Sequence, residues 1–156
     1  MIREATPAED INELFELWKE LMILHQSHHA VFKVKPNKDQ HLREAFLSRL
    51  KEKDTRVFVY EKEQEPVGMI VCSVRKSAPG FKLATKGYIA ETIVKKEHRC
   101  TGAGKELIEA AKKWLIDKGA DHIELQVSLK NPAAARFWEE QGFTVSTQHM
   151  VLELKS

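Results

Sequence analysis

The stretch Arg99-Cys100-Thr101-Gly102-Ala103-Gly104-Lys105 decides how this chain is read. Before it lies Gly87-Tyr88-Ile89-Ala90-Glu91-Thr92-Ile93-Val94, rich in β-branched and aromatic residues as a buried strand is. After it, Gly104 to Lys118 repeats apolar residues at helical spacing. Glycines at a strand-to-helix junction let the backbone come close to a ligand, while the N–H groups of the first helical turn point outward unpaired. The product is an anion site suited to phosphate. Lys95, Lys96, Arg99 and Lys105 gather positive charge around it; without the glycines they would read as an ordinary solvated loop.

Two nucleotide loops are excluded by position. A P-loop needs glycine where Arg99 stands and Ser or Thr where Glu106 stands. A dinucleotide fingerprint needs a third glycine at Leu107 and should open the first strand-helix unit of its domain. What remains is Arg/Gln-x-x-Gly-x-Gly/Ala at the end of a strand.

A second segment stands downstream in the same order: Asn131-Pro132-Ala133-Ala134-Ala135-Arg136-Phe137-Trp138-Glu139-Glu140-Gln141-Gly142-Phe143. Physically it is a short helix with Asn131 as N-cap, Pro132 at the first helical position and Gly142 as the left-handed stop. The two motifs together resemble the GNAT superfamily of acyl-CoA-dependent N-acyltransferases, whose later motif is Asn-x-x-Ala-x-x-Phe-Tyr-x-x-x-Gly-Phe, here with Trp138 in place of the tyrosine. The resemblance is close over residues 87 to 143, and over residues 1 to 86 it lies in the order of elements alone.

Composition bounds the function. A chain of 156 residues suffices for one ordinary domain, and no linker-like or low-complexity stretch divides it, so residues 1–156 are read as a single domain. The 25 basic and 23 acidic residues are interspersed and leave a net charge of +2, with no basic stripe of the kind nucleic acid requires. No apolar run approaches the ~18 residues of a membrane span, and Met1-Ile2-Arg3-Glu4 lacks the apolar core of a signal peptide. A cytoplasmic location is expected. Cys72, inside Met69-Ile70-Val71-Cys72, reads as a packed core thiol, and Cys100 belongs to the anion loop.

Thr6-Pro7-Ala8-Glu9 predicts a capping box, and Ile11, Leu14, Leu17, Trp18, Leu21 and Leu24 predict the apolar stripe of the helix that follows. A second helix is expected from about Lys38 to Lys51, with Leu42, Ala45, Phe46, Arg49 and Leu50 near one face. His25 to Asn37 has no clear period and reads as a loop with at most a turn of helix. Arg56–Lys62 and Pro66–Arg75 read as a hairpin around Glu63-Gln64-Glu65, Ile123, Leu125 and Val127 as a strand after a helix stop at Gly119, and Val145 to Leu154 as a last extended run. The order β-α-α-β-β-β-α-β-α-β(-β) is an α/β (α+β) fold, GNAT-like: a mixed, mostly antiparallel central sheet with helices on both faces.

The resemblance implies acetyl-CoA, or a related acyl-CoA, as co-substrate and no metal. Its diphosphate would rest on Arg99, Cys100, Thr101, Gly102, Ala103, Gly104 and Lys105, and its pantetheine arm would follow Thr92, Ile93 and Val94 where two strands splay apart, with Asn131 and Trp138 of the later motif also assigned to cofactor binding. An alkylamine is mostly protonated near pH 7, so a base is needed. Glu91, the one carboxylate between Tyr88 and Val94, is the candidate; on an alternating strand it shares a face with Ile89 and Ile93 unless a bulge intervenes. Trp138 has no acidic hydroxyl, but a thiolate of pKa ~8.5 is a tolerable leaving group. Phe137, Trp18 and Trp114 read as core. Cys100 stands where the family commonly has glycine; a left-handed backbone there would strain it, so the loop is expected either to use an ordinary conformation or to bind CoA less well.

His25, His28 and His29 have metal-like spacing but no accompanying ligand signature. By the resemblance, His28, His29, Phe32 and Tyr88 border the pocket for the amine acceptor. The function expected is acetyl transfer to a primary amine of a small molecule or peptide by direct attack in a ternary complex; a noncatalytic acyl-CoA sensor or interaction module is the alternative. A homodimer pairing through the last run is a further expectation.

Overall fold

Helix α1 (Pro7–His28) follows the three-residue strand β1 (Ile2–Glu4) in the computed structural model, which describes residues 1–155. Then come α2 (Asp39–Leu50), β2 (Thr55–Lys62), β3 (Glu65–Lys76), β4 (Thr85–Val94), α3 (Ala103–Asp117), β5 (His122–Leu125) and α4 (Pro132–Glu140). The chain forms two compact units, Met1–Gln126 and the segment from Val127 onward. The first holds a five-stranded sheet in chain order, antiparallel except for the parallel pair β4–β5. The β2–β3 hairpin turns through Glu63 and Gln64, both left-handed at φ 53° and 66°, which matches strand twist in a two-residue turn.

Each face of the sheet has its own helices. Leu14, Leu17 and Leu21 of α1 and Phe46 and Leu50 of α2 pack with Val57, Val59, Met69, Val71 and Ile93 in one buried cluster. On the opposite face α3 comes so close that a Cβ on Gly87 would lie 2.9 Å from Leu115, and one on Gly68 3.2 Å from Leu107.

Several local expectations are corrected. No capping box forms: the Thr6 side chain makes no cap bond, and its N–H donates to Asp10 Oδ2 at 2.8 Å instead of to Glu9. Asp10 is preferred because Arg3 already holds it by two 2.9 Å bonds and also pairs with Glu61, tying β1, α1 and β2 together. Helix α1 runs to His28, beyond its apolar stripe, as Phe32 folds back onto His25 with ring centres 4.8 Å apart. Ala45 is exposed, and Leu47 packs against the core in its place. Trp18 stacks on Phe15, whereas Trp114 is half-buried beneath Arg56 and Lys118.

The expected last run belongs to no strand. Val145, Met150, Leu152 and Leu154 are exposed. Alternating apolar residues supply a face, but a strand exists through a ladder partner, and none bonds this run among the described residues.

Candidate active site

A one-residue bulge in β4 sets the site. Val71 lies opposite Glu91 and Cys72 opposite Ile89, so Ala90 is the extra residue. Ile93 pairs with Met69 and Glu91 with Val71, on the face covered by α1 and α2; Ile89 pairs with Cys72, on the face covered by α3. The expectation that Glu91 shares a face with both isoleucines therefore holds for Ile93 and fails for Ile89. At the same place β5 departs: its ladder with β4 joins Lys86–Ile89 to His122–Leu125 and stops. From Ala90 to Val94 that edge has no strand beside it among the described residues, as the expected splay requires.

The bulge turns Glu91 toward α2, where Arg49 grips its carboxylate with both terminal nitrogens, one at 3.1 Å and the other closer. The pair is asymmetric. The Glu91 side chain is 10% exposed and that of Arg49 is 38% exposed. The guanidinium also lies 5.3 Å over the ring of Phe46, itself buried. Arg49 lines a cavity of about 360 Å³ whose walls include Thr55, Val71, Ser73 and the bulged Ala90. In the sequence Arg49 lies near one face of its helix with Leu42, Phe46 and Leu50 and its partner does not show, although an arginine one turn beyond Phe46 on an apolar face is itself a sign of a carboxylate nearby.

The glycine loop turns through two left-handed residues, Cys100 at φ 62° and Gly102 at φ 90°. Of the two outcomes expected at Cys100, the ordinary conformation is not adopted; the loop keeps a glycine-like turn there. Gly102 caps α3, and the first intrahelical bond runs from Glu106 N–H to Gly102 O at 3.1 Å, leaving the N–H groups of Ala103, Gly104 and Lys105 directed past the helix start. Thr101 Oγ1 donates to His98 O at 2.6 Å, and Arg99 Nε donates to Val94 O at 2.8 Å while its guanidinium approaches Glu20 at 3.7 Å. Arg99 thus braces the loop against the end of β4. Thr92, opposite Ile70 on the α3 face, has its Oγ1 buried without a hydrogen-bond partner among the described residues.

His28, His29 and Phe32 come together with His25, with His28–His29 and His29–Phe32 ring centres each 6.4 Å apart. Burial, and then the neighbouring charges of His28 and His29, hold the His25 imidazole below its ordinary pKa. Among the described residues no group of three or more His, Cys, Asp or Glu is placed to hold a metal ion. Tyr88 belongs to a different set, under Arg75 at 4.8 Å and Lys86 at 6.0 Å. In the second unit Asn131 Oδ1 caps α4 by accepting from Ala134 N–H, and Gly142 takes the left-handed stop at φ 97°. Trp138, not Phe137, is the buried member, edge-on to both Phe137 and Phe143.

Residues 11–143 match the acetyltransferase (GNAT) family, and the chain belongs to that family. It is 30% identical over 80 residues to N-alpha-acetyltransferase 30 of Homo sapiens, a match covering 51% of this chain and 21% of that protein. The first two curated relatives are matched over 26% and 21% of their own lengths. The structure of a tetramutant of the BH1408 protein from Bacillus halodurans superposes with a TM-score of 0.85 at 25% identity, covering 99% of both chains. Aminoglycoside N-acetyltransferase AAC(6')-Iy, solved in complex with CoA, superposes with a TM-score of 0.73 at 16% identity over 100% of both chains, a likeness of fold.

Proposed function

We propose that this chain is an N-acetyltransferase acting in the cytoplasm, which moves the acetyl group of acetyl-CoA to a primary amine by direct attack in a ternary complex, with Glu91 as the base. The observation that carries this reading is the β4 bulge. It sets a nearly buried carboxylate beside a cavity, at the point where β5 leaves the edge of β4.

The residues present fit the donor. Three N–H groups at the start of α3, behind a left-handed glycine, suit a diphosphate. The buried, unpartnered Thr92 hydroxyl and the open edge from Ala90 to Val94 suit an amide-bearing arm. When bound, acetyl-CoA supplies an acetyl group activated as a thioester. Glu91 accepts the proton that the ammonium form of the acceptor must lose, Arg49 fixes the carboxylate until the acceptor arrives, and Val71 and Ile93 beside it limit access of water.

Release of CoA thiol during incubation with acetyl-CoA and a panel of primary amines tests the reading. Turnover with at least one amine is expected. Tight CoA binding with no turnover for any amine would replace the enzyme by the sensor reading. The assembly proposed with it is a homodimer through the exposed run from Val145 to Leu154; a concentration-independent monomer mass in light scattering would remove it.

A further inference from the structure

A ligand entering the cavity beside Ala90 meets Arg49 before it meets Glu91. Arg49 lines the cavity and is 38% exposed, whereas Glu91 lies behind it at 10%. Each carboxylate oxygen already accepts from the guanidinium, so an amine that is to give its proton to Glu91 competes with Arg49 for the carboxylate. A neutral or purely cationic acceptor gives the displaced guanidinium nothing in exchange. An acceptor with its own carboxylate does: the guanidinium fork transfers to that carboxylate, and the ammonium takes its place at Glu91, so that two charged pairs replace one.

The rest of the wall agrees. With Arg49 neutralised by Glu91, the charged residues left are Lys53 and Arg75 against Glu52 and Asp54, two of each sign, and among the described residues no ion pair engages any of these four. A polycation gains no net attraction from such a wall, and a zwitterion is matched at both ends. Arg75, exposed near the end of β3, lies over Tyr88, 4.8 Å from its ring, and supplies a second cation on the wall. The volume of about 360 Å³ accommodates a single small metabolite.

We infer that the acceptor is an amino-carboxylate of the free α-amino acid type, its carboxylate taken by Arg49 and its ammonium presented to Glu91. This rests on the acetyltransferase reading above and narrows its substrate.

The test compares acceptors on the wild-type protein, so it does not depend on a variant folding. The twenty L-amino acids, their carboxamides, spermidine and kanamycin are assayed with acetyl-CoA, and binding of each is followed in parallel by calorimetry. At least one amino acid should exceed its own carboxamide by ~10-fold or more in kcat/KM. Arg49→Met should bring that ratio near one, chiefly through KM, and Arg49→Lys should restore part of it. Equal or better use of the carboxamide, preference for spermidine or kanamycin, or failure of every amino acid to bind or be acetylated would overturn the inference. The two readings fail separately: a pH–rate profile unmoved by Glu91→Gln removes Glu91 as base and leaves the carboxylate-to-carboxamide ratio standing.

Discussion

Cys100 occupies a left-handed position, φ 62°, where a side chain costs about 1–2 kcal/mol relative to glycine. Cys100→Gly should therefore stabilise the protein by about 0.5–1 kcal/mol in urea unfolding, after the greater freedom of glycine in the unfolded chain is offset. Unchanged or lower stability would contradict the loop geometry. The two thiols should also separate chemically. Burial pushes the Cys72 thiol up to about 12, so it stays protonated and inert, while Cys100 is exposed. Iodoacetamide should modify Cys100 alone in the folded protein, and saturating acetyl-CoA should slow that modification several-fold if the loop holds the diphosphate. An unchanged rate would place the diphosphate elsewhere.

At the scale of elements, close approach and ion pairing fix where β4 can lie. Gly87 leaves no room for a Cβ, which would sit 2.9 and 3.1 Å from the two methyls of the fully buried Leu115. Gly87→Ala should cost about 1–3 kcal/mol in thermal or urea unfolding, and a neutral result would contradict the α3–β4 packing. At the other edge, hydrogen bonds from the Arg3 guanidinium, aided by Thr6 N–H, hold the Asp10 carboxyl below its ordinary pKa. A depressed folded pKa contributes stability above the unfolded value of ~3.9, and that stability is lost as pH falls through the folded value. Asp10→Asn should destabilise the protein at pH 7 and flatten its loss of stability in acid; parallel stability–pH curves would show that the pair contributes nothing.

For the whole molecule, what could be read from the sequence was whatever a short segment determines by itself. The glycine loop, the Asn131-Pro132 start of α4 and its Gly142 stop are local signals, and each stands where expected. The Glu91–Arg49 pair joins residues 42 apart, and neither segment names the other. The bulge at Ala90 was equally hidden, since it exists only in the register between β3 and β4. The alternation from Val145 to Leu154 reads as an extended run, yet a period of two describes a face and not the partner that makes it a strand.

The base assignment in the acetyltransferase reading rests on Glu91. Its most direct measurement is the rate of CoA release against pH for the wild type and Glu91→Gln, with the amine that turns over fastest and with acetyl-CoA affinity measured alongside. The account predicts a rate lower by roughly 10²-fold or more in the variant, loss of the acidic limb that reports the base, and little change in acetyl-CoA binding. Superimposable profiles for the two proteins would contradict it and move proton removal to another group.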